Sequence, residues 1–180
     1  GGNAQAAVIA SAYAFGGDLN NLDPAFEFWT QMAEDGRINT LDILQQNFET
    51  GEIPVGVIWS FTAIPYKDQI TKYKLQANIP TDGSIMSGYA SVINKYAPHP
   101  CAAALAREYI FSDEGQANLA AAGAIPTRTD VEIPDDIQNA TFKSEDYANA
   151  IPMEDTDAYT KACETVVERW QEEITPLLVQ

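Results

Sequence analysis

His99 is the single histidine of the chain, so any Ser-His-Asp or Cys-His chemistry would have to run through it. It stands between Pro98 and Pro100, where restricted backbone angles suit a turn or a helix start better than a general base. Cys101 and Cys163 lie 62 positions apart, and neither has a partner at a zinc or redox spacing. They read as two small core residues, with a disulfide between them as the alternative. There is no GxSxG elbow, no phosphate loop of the GxxxxGKS type and no HExxH helix. The carboxylate pairs Asp135-Asp136 and Glu172-Glu173 read as solvated surface rather than as an acid and a base. The residues therefore predict a protein that binds and does not catalyse, with no catalytic residue, metal set or cofactor.

Three short stretches suit recognition of a polar solute. Gly2 and Asn3 open a helix, where free amides and the positive end of the dipole can hold an anion or polar group. The same stretch also reads as a flexible terminus. Trp59 and Ser60 follow an apolar run and can present an aromatic face and a hydroxyl, with a core tryptophan as the alternative. Gly83 and Ser84 lie in a turn whose glycine permits close backbone approach, and an ordinary turn is the alternative there.

The elements that must position these residues follow from periodicity and punctuation. Ala4, Ala7, Val8, Ser11, Ala12 and Phe15 share a helical stripe that Gly16-Gly17 ends. Asp23-Pro24 gives a capping carboxylate and a proline at the first helical position, followed by the apolar face of Ala25, Phe28, Trp29, Met32 and Ala33. A third helix is expected from Thr40 to Gly51. Strands are expected at Ile53 to Trp59, along Tyr73, Leu75, Ala77 and Ile79, and at Tyr89 to Ile93. Pro98-His99-Pro100 leads into a helix carrying Ala102, Leu105, Ala106, Tyr109 and Ile110 on one face. Ser112 caps the next helix, whose first turn holds Asp113 and Glu114 and which Gly123 ends. Val131 to Met153 reads as a surface excursion. Tyr159, Ala162, Cys163, Val166, Val167 and Trp170 mark a final amphipathic helix.

Composition sets the limits. A chain of 180 residues with 46% hydrophobic content can bury a sizeable core. Its formal charge of -16 argues against nucleic acid and anionic membrane surfaces as partners. No apolar run reaches the roughly 18 to 20 residues of a membrane span, and GGNAQ has none of the features of a signal peptide. The expectation is a soluble chain from which any export signal has been removed.

The order of motifs then becomes recognisable. APHPCAAALAREYIFSDEGQANLAAAGAIPTR, with GEIPVGVIWS and IPTDGSIMSGYASVINK upstream of it, resembles the extracellular solute-binding proteins of bacterial ABC importers. That group includes binders of iron, polyamines and aminoethylphosphonate, and the similarity spans positions 1 to about 130. The resemblance implies an α/β, periplasmic-binding-protein-like (type II) lobe, a mixed sheet flanked by helices, with the first lobe largely absent. Residues 1-85 would form the first part of lobe two, 86-128 a crossing segment packed on the absent lobe one, and 129-180 the return with a C-terminal helix.

It further implies capture of a small polar solute, delivery to permease subunits in the membrane, and an extracellular or periplasmic lipoprotein anchored through a removed N-terminal segment. Iron-binding members use paired tyrosines after the lobe-two strand. Here the stretch reads WSFTAIPY, which disfavours ferric iron and leaves a preference for a phosphonate or phosphate ester. The isolated chain could dimerise to cover its apolar surface. Two other classes stay open: the ligand-sensing effector domain of a transcription regulator, and an interaction domain with no small ligand.

Overall fold

A computed structural model describes residues 1–178; the last two positions of the expected 129-180 span lie outside the described residues. Helices dominate. They are α1 (Gly2–Ala14), α2 (Asp23–Glu34), α3 (Gln45–Thr50), α4 (Ser60–Gln69), α5 (Pro100–Ile110), α6 (Asp113–Ala121), α7 (Asp135–Ala140), α8 (Thr156–Arg169) and α9 (Thr175–Leu178). A π turn, Trp170–Ile174, joins α8 to α9, and a 3-10 turn spans Ser144–Tyr147. Among the described residues no helix is long and apolar enough to cross a membrane.

The expected mixed sheet is reduced to two parallel strands of two residues, β1 (Ile85–Met86) and β2 (Ile151–Pro152), with Ile85 opposite Ile151. Strands expected at Ile53 to Trp59, Tyr73 to Ile79 and Tyr89 to Ile93 do not form. A strand is completed by a neighbouring edge, and among the described residues none lies beside these segments. Ile53 instead packs with Phe48 and Ile70 in a small cluster. The third helix begins at Gln45 rather than Thr40, because the side chains of Asn39, accepting from the Leu41 amide, and Asn47, donating to Asp42 O, hold the preceding backbone in local bonds. α4 was not expected, and Val131 to Met153 is not featureless: it holds α7, the 3-10 turn and β2.

Helix ends match their residues more closely. After α1, Gly16 adopts φ 86°, its amide donates to Tyr13 O and that of Gly17 to Ala12 O, a Schellman closure. Gly123 ends α6 the same way, with bonds to Ala120 O and, from Ala124, to Leu119 O. Ser112 caps α6 by accepting from the Gly115 amide at 3.1 Å. Asp23, expected to cap α2, makes no such bond; its carboxylate accepts from Arg169 at 2.8 Å. Cys101 is exposed rather than in the core, Cys163 is half-buried, and both are free thiols.

The main core gathers Val8, Ile9 and Ala12 of α1, Ala25 and Phe26 of α2, and Ala162, Val166 and Ile174 from the C-terminal helices. Its members come from the two ends of the chain. No residue of α5 is buried. The loop after α6 is held by one fully buried side chain, Gln116, which donates to Ile110 O at 2.8 Å and accepts from the Thr127 amide at 2.8 Å and the Arg128 amide at 3.1 Å. Gln116→Leu keeps the volume and strands three backbone groups. It is expected to lower urea-unfolding stability by about 2 kcal/mol or more, and a loss below about 0.5 kcal/mol would contradict this role.

Candidate functional site

The first amide that α1 uses internally is that of Ala4, bonded to Gly1 O at 3.0 Å. The amides of Gly2 and Asn3 therefore point out of the helix end. α4 repeats the arrangement: Thr62 and Ala63 both bond Trp59 O at 3.0 Å, which leaves the amides of Ser60 and Phe61 outward. Asn3 ties the two ends together, its side-chain amide donating to Val57 O at 3.1 Å. Only Ile58 and Trp59 lie between Val57 and Ser60, so the start of α4 is within about 10 Å of chain reach from the residue that Asn3 holds. Both dipoles favour negative charge or electron-rich oxygen at this place.

Hydroxyls and rings extend the patch. The Ser60 hydroxyl faces the Tyr147 phenol, which burial pushes above the ordinary tyrosine range, with the Ser60 contact opposing the rise. Phe61 meets the Tyr89 ring edge-on, centroids 6.0 Å apart. Tyr159 lies beside Tyr89, Ser87 and Cys163, and chiefly burial pushes its phenol up to about 12. Burial also pushes the Cys163 thiol up, against the opposing contact with Tyr159. Gln5 closes the ring by donating to Cys163 O at 3.3 Å.

Of the residues expected from sequence, Asn3 is tied through Val57 O to the segment that leads into Trp59 and Ser60, with Gly2 beside it at the start of α1 and Trp59 half-buried as the residue preceding α4. Gly83 and Ser84 lie elsewhere. A Cβ at Gly83 would collide with the Ala10 carbonyl and the Ala14 side chain, which places the turn toward the other end of α1, about 18 Å from Gly2 across its length. Ser84 O accepts from the Ile151 amide at 2.9 Å. The glycine's close approach is thus to a helix, and its chain leads through β1 to Ser87 in the patch.

Sequence reasoning assigned Tyr159 to a core face and Tyr147 to a surface excursion. Nothing local in either stretch shows that β2 pairing and α8 packing bring their hydroxyls to Ser60 and Ser87. His99 is exposed at the start of α5. Two grooves of the molecule are lined by other residues than Gly2, Asn3, Trp59 and Ser60. One of about 400 Å³ is lined by Asp23, Phe26 and Arg169 among others. One of about 480 Å³ lies between α4, α6 and α7.

Because Tyr159 is raised in the folded state, its neutral form stabilises the fold fully below pH 10, and that contribution is lost as pH rises from about 10 toward 12. Absorbance at 295 nm should show a phenolate step near pH 12 that vanishes in Tyr159→Phe; an unchanged titration curve in that variant would contradict the placement.

A family model described as bacterial extracellular solute-binding protein matches residues 1–151 of the chain. No curated protein matches it.

Proposed function

Since this chain belongs to the bacterial extracellular solute-binding proteins, we propose that it captures a small polar solute between two lobes and delivers it to the membrane permease of an ABC importer. The observation that carries the reading is the bond from Asn3 to Val57 O, which ties the start of α1 to the segment leading into α4. Outward amides, the Ser60 and Tyr147 hydroxyls and the Trp59 ring offer donors and an aromatic face to one solute. Solutes rich in acceptor oxygens match such donors, which favours a phosphonate or phosphate ester. Proteins of this family are generally not enzymes.

The chain's organisation in this reading is a lobe two made of residues 1-85 and 129-180, with 86-128 packed on a first lobe in a type II arrangement. Support comes from the core, which joins α1 and α2 to α8 and the π turn and takes nothing from α5. Lobe closure would follow from tighter binding of solute to the closed form. The work is done outside the cytoplasm, in the periplasm or at the outer face of the cell, with the protein held by a lipid-modified segment preceding residue 1.

The test is calorimetry on the two-lobed protein against phosphonates, phosphate esters, polyamines, sugars and ferric citrate. A phosphonate or phosphate ester should bind, and Trp59→Ala should weaken it about tenfold to a hundredfold, equivalent to about 1.4 to 2.7 kcal/mol. Silence across the panel would overturn the binding reading, and unchanged affinity in the variant would remove Trp59 from the site.

A further inference from the structure

α4 gives no side chain to the main core among the described residues, and Ile64 is its buried residue. Its far end is held by Tyr66, whose ring meets Phe48 at 6.0 Å within the small cluster that includes Ile70. Its near end carries the outward amides of Ser60 and Phe61 and rests on the turn after α6. A Cβ at Gly123 would stand 3.2 Å from both Cα and O of Phe61 and 3.5 Å from the Ile64 Cβ, so a residue without one lets the two backbones approach this closely. The Phe61 carbonyl is also the one that Pro65, four residues on, cannot serve with an amide, and the Gly123 turn lies against that oxygen. The turn is held in place from α6 itself. Gln116 binds the chain beyond it through the Thr127 and Arg128 amides, and Arg128 returns to Phe111 O at 2.9 Å and to Asp113 at 2.8 Å.

We propose that Gly123 is a positioning residue of the solute patch: its bare backbone is the seat on which the first turn of α4 rests, and it sets where the amides of Ser60 and Phe61 point. The consequence for affinity rests on the solute reading above, whereas the placement of α4 does not. Phe61 is held on two sides, by the Tyr89 ring and by Gly123. In the two-lobed reading Gly123 stands close to where the chain re-enters lobe two, so the seat lies where the crossing segment meets the site. A side chain at this position has to push helix backbone by a few tenths of an ångström, and the outward amides move with it. Hydrogen bonds weaken steeply as their geometry departs from the optimum. Gly16 supplies the comparison within the same chain. It ends α1 through the same closure at φ 86° against 88° for Gly123, yet a Cβ there would meet nothing within 4 Å. Left-handed strain is common to both glycines, and contact with α4 belongs to Gly123.

Residual dipolar couplings of the 180-residue chain, measured without solute for Gly123→Ala and Gly16→Ala, test this. Gly123→Ala should change the couplings of the Ser60, Phe61 and Thr62 amides relative to those of the main-core helices, and Gly16→Ala should leave them at the parental values. Couplings unmoved in Gly123→Ala, or moved alike in both variants, would overturn the proposal. If Gly123→Ala fails to fold, Gly123→Asn and Gly16→Asn replace the pair, since Asn tolerates left-handed backbone and still carries a Cβ. On the two-lobed protein the Kd for methylphosphonate or glycerol 3-phosphate should rise about threefold or more in Gly123→Ala, the loss of part of one hydrogen bond, and hold in Gly16→Ala. Altered couplings with an unmoved Kd would place the solute away from α4, and no binding of either probe by the parent would count likewise against the solute reading; in both cases the altered couplings uphold the seat at Gly123.

Discussion

Burial of α1 is the constraint on which the other elements depend. The helix carries apolar residues around most of its circumference, with Ala6, Val8, Ile9 and Ala12 all buried, and a helix of that kind is stable only when covered on several sides. α2 and α8 supply two of them. The third is the 83–86 stretch, which reaches α1 because Gly83 has no side chain to hold it away from Ala10 and Ala14. With β1 fixed there, β2 has an edge to pair with, and the return of the chain brings Tyr147 toward Ser60. The start of α1 carries its free amides, and the patch lies around it.

The C-terminal helix is held to this core by a mixed contact. The Arg169 guanidinium lies 4.1 Å from the centroid of the Phe26 ring and bonds Glu173 at 2.6 Å and Asp23 at 2.8 Å. Stacking on a buried ring removes part of the guanidinium from water, and the two carboxylates keep it charged. The ion pairs are partly exposed and add modestly by themselves. Their value is positional: they set the rotation of α8 and therefore where Tyr159 and Cys163 stand relative to α1. The patch is different in kind, with amides and hydroxyls in place of charged side chains.

What the sequence made legible follows from how local each signal is. Gly16 and Gly123 each end a helix through bonds within a few residues, and Ser112 caps one across three. Those features are written in short stretches of chain. Strand identity is not, because Tyr89 to Ile93 has strand-like composition and lacks a partner. α4 was hidden by Pro65 in its interior and by the apolar run before it. The helix start at Gly2 and Asn3 could be read from the sequence, whereas Trp59 and Ser60, expected after a strand, stand instead at the start of α4. Tyr147 and Tyr159 could not, since their relation to Ser60 and Ser87 exists only after distant segments have packed. Gly83 was legible as a place of close approach, and only the fold shows that the approaching partner is α1.

The central claim is that solute is held at the joined ends of α1 and α4. Hydrogen exchange measured residue by residue on the two-lobed protein, free and saturated with whichever oxyanion raises its melting temperature, tests it most directly. The account predicts slowed exchange at the amides of Gly2, Asn3, Ser60 and Phe61, because these donors are open in the free chain and would be bonded in the complex. Protection confined to other segments, with these four amides unchanged, would contradict it.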